Sequence, residues 1–177
     1  MPKPPRARTT ARPRARSTRR PSVPRLARER SPESRAILDR LRALCMALPD
    51  AREKLSHGEP TWFAGGGKVF AMFDDHHHGA PHVSVWLPAP DGAQQVLIER
   101  DPKRFWRPPY LGHRGWVAVV LDARPQWKLV ADLIEQAYRG VATARLVAQL
   151  DEARTRSRTP VAMHRASARI GAAEDLS

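Results

Sequence analysis

The pattern of apolar and polar positions begins, after a long polar stretch, with an amphipathic helix. Its apolar residues recur at intervals of three or four, as they do along one side of a helix. They are Ile37, Leu41, Leu44 and Leu48. Residues 31–33 read Ser-Pro-Glu, which supplies a capping hydroxyl, a proline suited to the first turn and an acid at the positive helix end. We therefore predict that the helix begins there and ends at Pro49.

Three strands follow in the pattern. Residues 61–63 and 68–73 are apolar and flank three consecutive glycines at 65–67, which is the composition of a β-hairpin whose turn needs positive φ. Residues 82–87 then alternate between apolar and polar side chains, as in a strand with two different faces. These strands form a predicted antiparallel meander. Residues 93–100 fit a short helix or a fourth strand equally well.

The C-terminal half predicts a further strand and two helices. Residues 115–121 are apolar on both faces, which predicts an interior strand covered on both sides, or one whose second face meets another subunit. Apolar positions between 127 and 138 have helical spacing, and a shorter helix is predicted from residue 143 to about 153. In chain order, the pattern predicts an N-terminal helix, an antiparallel meander, a further strand and C-terminal helices.

The net charge of +13 is distributed very unevenly. Residues 1–32 contain eleven Lys or Arg and one acidic residue, and residues 154–177 contain five Arg and two acidic residues. Residues 33–153 contain fifteen basic and fifteen acidic residues. We therefore predict a neutral folded domain at 33–153 between two disordered basic tails. The single cysteine, Cys45, excludes an intramolecular disulfide and favours a reducing compartment, and the apolar runs are too short to cross a membrane. The expected location is cytoplasmic.

Residues 99–114, hereafter the basic segment, combine a local charge of +3 with Trp106 and Tyr110. Cations contact phosphates and exposed aromatic rings stack on bases, so the composition is typical of nucleic-acid binding. Alternatively, Phe105, Trp106 and Trp116 belong to the core and the arginines form a solvated rim. The candidate nucleic-acid-binding residues are Lys68, Arg100, Lys103, Arg104, Arg107, His113 and Arg114.

Other candidate chemistry is weaker. Residues 65–68 read Gly-Gly-Gly-Lys but lack the further glycine and the hydroxyl residue of a phosphate-binding loop. The histidines at 76–78 and at 82 lack the spaced partners of a metal site. His57, Glu59 and His113 do not make up a nucleophile, base and oxyanion set. We predict no catalytic residues, no cofactor and no metal.

Several motifs, in their order along residues 34–150, carry a resemblance to a known family. They include Ser-His-Gly-Glu-Pro-Thr-Trp-Phe at 56–63, Gly-Lys-Val-Phe-Ala at 67–71, Asp-Pro-Lys-Arg-Phe at 101–105 and Pro-Pro-Tyr-Leu-Gly-His-Arg-Gly-Trp-Val at 108–117. With these motifs the chain resembles the MmcQ/YjbR family of small bacterial proteins. The resemblance implies an α+β fold of the CyaY-like or secretion-chaperone-like kind, and DNA binding through a double-wing arrangement of hairpins. The basic tails and the histidines at 76–78 depart from the family pattern.

We accordingly expect a non-enzymatic DNA-binding protein, monomeric or homodimeric and without a membrane partner, whose basic tails add non-specific affinity for nucleic acid. Two alternatives stay open. In one, the domain binds a small ligand or is an enzyme, and its pocket is lined by Trp62, Trp86, Tyr110, His113 and Trp116. In the other, it is a protein-interaction module with an exposed apolar patch.

Overall fold

The computed structural model of the protein describes residues 29–158, and the remainder of the two predicted tails lies outside these residues. The described part is α+β, as predicted. No helix within it is both long and apolar enough to cross a membrane. The elements in chain order are α1 (Pro32–Met46), β1 (Ala51–Ser56), β2 (Glu59–Ala64), β3 (Val69–Asp75), β4 (Val83–Pro88), α2 (Ala93–Arg100), β5 (Phe105–Trp106), β6 (Trp116–Val120), α3 (Trp127–Val141) and α4 (Ala144–Arg158).

Helix α1 begins where the sequence indicated. The Ser31 hydroxyl accepts a hydrogen bond from the backbone N–H of Ser34 at 3.0 Å, and Pro32 occupies the first turn. Leu38, Leu41 and Cys45 are buried along one side of the helix. Burial raises the pKa of the Cys45 thiol well above its usual value, so this cysteine is a core residue and a poor nucleophile.

The six strands form one antiparallel sheet in the order β1-β2-β3-β4-β6-β5. The predicted hairpin is β2 and β3, and its turn is closed by a hydrogen bond from the Ala64 N–H to the Lys68 carbonyl at 3.0 Å. Gly65 has a φ of +60°, as the three-glycine turn predicted. Strand β1 was not predicted, because its exposed and half-buried positions carry Arg52, Lys54 and other polar residues and show no regular apolar alternation.

One face of the sheet packs against α1 and α3 and forms the core. Phe73, Val85 and Val119 lie on this face, together with Ile134 and Tyr138 of α3. Tyr138 packs edge-on against Phe70 with ring centroids 5.3 Å apart, and its hydroxyl donates to the Pro49 carbonyl at 2.6 Å. The core therefore joins the end of α1, the centre of the sheet and the end of α3.

Strand β6 is an interior strand covered on both sides, as its apolar pattern predicted. Val117 and Val119 belong to the core, and Ala118 is fully buried on the other face. Residues 93–100, which the sequence left undecided, form α2. The Gln94 amide of this helix donates to the carbonyls of Gly112 at 2.7 Å and Trp116 at 2.5 Å, and so fixes the basic segment to β6.

The boundaries of the folded region differ from the predicted 33–153. Helix α4 continues to Arg158. At the other end, Arg30 lies within the fold: only 9% of its side chain is exposed, and it pairs with Glu59 and Asp75. Residues 29–32 and 154–158 therefore belong to the described fold, although their composition had placed them in the tails.

Candidate functional site

A cavity of about 830 Å³ borders the sheet, and Val141 at the end of α3 also lines it. Side chains alternate along β3 and β4, so Met72 and the paired Trp86 project away from the core residues Phe73 and Val85. Met72 and Trp86 line the middle of the cavity. Its volume is within the range of sites that hold small molecules.

The apolar walls of the cavity come from β4, β6 and the basic segment. Trp86 is 6% exposed and is held by an edge-on contact with Trp106, with centroids 6.4 Å apart, and by a 3.0 Å hydrogen bond from its Nε1 to Ser84. Trp116 is half-buried at one end, beside the exposed Tyr110. Large aromatic surfaces thus form much of the wall.

Acidic and imidazole groups form the opposite end. Glu59 is 4% exposed, and its two oxygens have different partners. Oε2 accepts from the Arg30 guanidinium, and Oε1 is 3.1 Å from Nδ1 of His77. His77 follows β3 directly, in a short 3₁₀ turn. The charge of Glu59 is therefore balanced within the protein.

Asp74 is the exception at this end of the cavity. It is 3% exposed, it lines the cavity, and its Oδ2 has no hydrogen-bond partner among the described residues. Burial raises the pKa of Asp74 to about 6; the neighbouring carboxylates of Glu59 and Asp75 act in the same direction, whereas His77 and His76 oppose them. The carboxyl is nonetheless mostly ionised at pH 7.

Two cations, Lys68 and Arg114, line the end nearest the hairpin turn. Both side chains belong to exposed residues. The neighbouring Arg107 packs its aliphatic stem against Gly112, where a Cβ would overlap with the Arg107 Cγ. Glycine at 112 therefore allows Arg107 to lie close to the turn that carries Arg114.

The other cations of the basic segment lie outside the cavity. Arg100 and Lys103 are exposed, whereas Arg104 is half-buried and pairs with Asp101 at 3.2 Å. Arg104 is thus partly neutralised, and it is the least suited of the predicted residues to contact an external phosphate. His113 is exposed but does not line the cavity.

Comparison with known proteins identifies the family. The family model YjbR matches residues 46–140, which is more than half of the chain. The chain belongs to the YjbR family. Among solved structures, this YjbR-family protein is similar to Deinococcus radiodurans protein DR2400, described as a DUF419 domain, with 19% identity, a TM-score of 0.47 and coverage of 57% of this chain and 75% of that one. No curated protein matches it.

The cavity of the YjbR-family protein contains only part of the predicted aromatic pocket. Trp86, Tyr110 and Trp116 line it. Trp62 does not: it is fully buried in the core on the other face, and its Nε1 donates to Glu53 at 3.1 Å. His113 is also absent from the lining. The alternation of side chains along a strand separates Trp62 from Trp86, although the two strands lie in the same sheet.

His77 and His82 contact different acidic residues and do not form a common site. His77 contacts Glu59, and His82 is 3.1 Å from Asp122 on a distant loop. Among residues 29–158, no group of three or more His, Cys, Asp or Glu side chains could hold a metal ion. Within the described residues, the hydrogen bond of the His57 ring joins its Nδ1 to the hydroxyl of the neighbouring Ser56, at 3.1 Å.

Two residues of this site escaped sequence analysis. Asp74 was not assigned to the sheet, because the second strand was predicted to end at residue 73. Continuing the alternation one step would have placed it on the same face as Met72. Arg30 lies in a stretch whose basic composition is uniform, so no local signal distinguishes it from the arginines before it.

Proposed function

We propose that this YjbR-family protein binds DNA through the phosphate backbone, using Lys68 and the exposed cations of the basic segment. The observation that supports the proposal is that these cations lack acidic partners. Within the described residues, none of Lys68, Arg100, Lys103, Arg107 and Arg114 forms an ion pair. Unpaired exposed cations are available to an anionic partner.

Cations elsewhere in the fold are more often neutralised. Arg42 pairs with Asp39 and Glu53, Arg139 with Glu135 and Asp151, and Lys128 with Asp132. The contrast favours a binding role for the basic segment over that of an ordinary solvated rim.

The β2–β3 hairpin extends the same surface. Its turn carries Lys68, which shares the rim of the cavity with Arg114 of the basic segment. Hairpin and segment thus both place an exposed cation at this cavity, and we propose that both contact phosphates. The family resemblance implied a wing-like role for hairpins, and we propose that the β2–β3 hairpin has it.

The aromatic residues contribute less to this proposal. Trp106 is half-buried and packs edge-on against Trp86, so its ring is not a free stacking surface. Tyr110, 69% exposed, is the one large aromatic among the exposed large hydrophobic residues of the described chain. We therefore propose phosphate contacts as the main source of affinity, with the basic tails adding non-specific binding.

The test replaces the four exposed cations of the basic segment in the full chain. Arg100→Gln, Lys103→Gln, Arg107→Gln and Arg114→Gln together are expected to weaken duplex binding about tenfold or more at physiological salt. The slope of log affinity against log salt should fall in magnitude by about 3 to 4, because four phosphate contacts are lost. Fluorescence anisotropy of a labelled duplex at several salt concentrations measures both quantities.

A charge-matched control separates this surface from general electrostatics. It replaces four exposed arginines outside the segment: Arg35, Arg40, Arg145 and Arg156. If the proposal holds, the control retains nearly all of the affinity and most of the salt slope. Equal losses in both variants would show that net charge and the tails account for binding, and would refute a DNA surface on the folded domain.

The protein-interaction alternative has less support. Within residues 29–158, the exposed large hydrophobic residues are Met46, Leu55, Val96 and Tyr110, which come from α1, β1, α2 and a loop respectively. They do not belong to one element as an interaction helix or strand would require. The small-ligand alternative is favoured by a specific observation, the unpaired carboxylate in the cavity.

A further inference from the structure

We propose that the cavity is a binding site for a small organic amine, whose ammonium group pairs with the carboxylate of Asp74 and whose apolar body lies against Trp86 and Met72. The proposal does not depend on DNA binding, because Asp74, Trp86 and Met72, which carry it, are not among the proposed phosphate contacts.

The first step of the argument is the state of Asp74. Buried polar groups in folded proteins nearly always have a hydrogen-bond partner, and an unsatisfied one needs an explanation. Asp74 is 97% buried, and its Oδ2 receives no hydrogen bond from the described residues. Asp74 also lines the cavity, so a ligand bound there lies against this side chain.

The second step is the charge of the donor. Glu59 is already paired with the Arg30 guanidinium and hydrogen-bonded to the His77 ring, so the acceptor left over at this end is Asp74. An ionised carboxylate pairs most strongly with a cationic donor. An anionic group would instead be repelled by the carboxylate of Asp74. An ammonium group therefore fits this end better than a carboxylate or a phosphate.

The third step is the body of the ligand. Next to Asp74, the cavity is lined by Met72 and Trp86, and further along by Val69, Leu111 and Trp116. Aromatic and thioether side chains favour an apolar or aromatic body, and Trp faces also attract cations. A bare inorganic cation or a short polar amine would leave most of the roughly 830 Å³ unfilled.

The cations at the end of the cavity opposite Asp74 limit which chemical groups the ligand can carry at that end. Val69 and Asp74 are separated by five residues of strand, which is roughly 16 Å at the usual rise per residue. Lys68 and Arg114 line the cavity beyond Val69. A second ammonium group would be repelled there, so the distal part of the ligand is neutral or anionic.

The test uses three probes that share a phenyl-alkyl body. They are 4-phenylbutylamine, the neutral alcohol 4-phenylbutanol and the anion 4-phenylbutyrate. Titration calorimetry with the full chain at pH 7.5 is expected to show the amine binding at least tenfold tighter than either of the others. Equal affinity for the three probes, or no binding of the amine at millimolar concentration, overturns the proposal.

Two variants locate the interaction. Asp74→Asn keeps the size of the side chain and removes its charge, and is expected to abolish the preference for the amine. Asp132→Asn makes the same change on an exposed acid of α3, and should leave the preference unchanged. An amine preference that survives in Asp74→Asn would place the binding site elsewhere and overturn the assignment.

The pH dependence adds a second readout. The titratable groups that face Asp74 are Glu59, Asp75, His76 and His77, and the pKa of Asp74 itself is raised to about 6. Below that pH the carboxyl is protonated and no longer attracts an ammonium ion. The preference for the amine over the alcohol should therefore shrink about tenfold between pH 7.5 and pH 5, while alcohol binding stays constant. A pH-independent preference contradicts the role of Asp74.

Discussion

Replacing Arg30 by alanine is expected to lower the free energy of unfolding by about 3 kcal/mol, because it leaves buried carboxylates without their cation. Arg30 pairs with both Glu59 and Asp75, whose side chains are 5% and 9% exposed. Its guanidinium also lies 5.5 Å from the centre of the Phe73 ring. Removing it deprives two acids of their counter-charge at once.

Urea denaturation of the full chain at pH 7 measures this loss. Arg156→Ala is the matched control, because it removes an exposed arginine from α4. Its effect should stay within about 0.5 kcal/mol, as is usual for surface changes. If Arg30→Ala proves as mild as the control, then residue 30 belongs functionally to the tail and the fold begins at α1.

Replacing Asp74 by asparagine is expected to have the opposite effect, raising the free energy of unfolding at pH 7 by on the order of 2 to 3 kcal/mol. The pKa of Asp74 rises from its ordinary value of 3.8 to about 6 in the folded protein. Between these two pH values the unfolded chain loses its proton while the folded protein keeps it. The wild type therefore loses stability as pH rises through this interval, and asparagine does not.

Comparing the two proteins at pH 3.5 and pH 7 isolates the effect of this group. At pH 3.5 the carboxyl is mostly protonated in both states, so the difference in unfolding free energy should be small. It should reach its full value above about pH 6.5. Asp132→Asn, on the exposed side of α3, serves as the control. A constant difference across this range, or destabilisation at pH 7, would contradict a raised pKa at Asp74.

A carboxylate that destabilises the fold needs a functional reason for being buried where it is. Natural proteins commonly carry strained or unsatisfied polar groups at binding sites, where stability is exchanged for function. Asp74 fits that description, because it is buried, unpaired at Oδ2 and open to a cavity. Because Asp74→Asn is expected to stabilise the protein, a loss of amine binding in this variant could not be attributed to unfolding.

The parts of the fold that the sequence predicted are those with strong periodicity or distinctive caps. Helix α1 has a Ser-Pro-Glu start, α3 has a regular apolar stripe, and the triple glycine marks the β2–β3 turn. Strand β6 is apolar at every position, which required burial on both faces. In each case the local sequence and the tertiary contacts favour the same structure.

The parts that escaped prediction depend on contacts between distant residues. Strand β1 is an edge strand with polar positions, and its pairing with β2 is fixed by the register of the sheet and not by its own pattern. Trp62 and Trp86 appear equivalent in the sequence, but the pleat sends them to opposite faces. The partners of Arg30 are 29 and 45 positions further along the chain, which no local pattern reveals.

The most direct test of DNA binding by the folded domain uses a fragment of residues 29–158, which keeps Arg30 and omits most of the basic tails. Fluorescence anisotropy with a labelled duplex should show binding at physiological ionic strength. That binding should be lost when Arg100, Lys103, Arg107 and Arg114 are replaced by glutamine. If the fragment does not bind while the full chain does, the tails alone carry the affinity and the proposed DNA-binding surface is wrong.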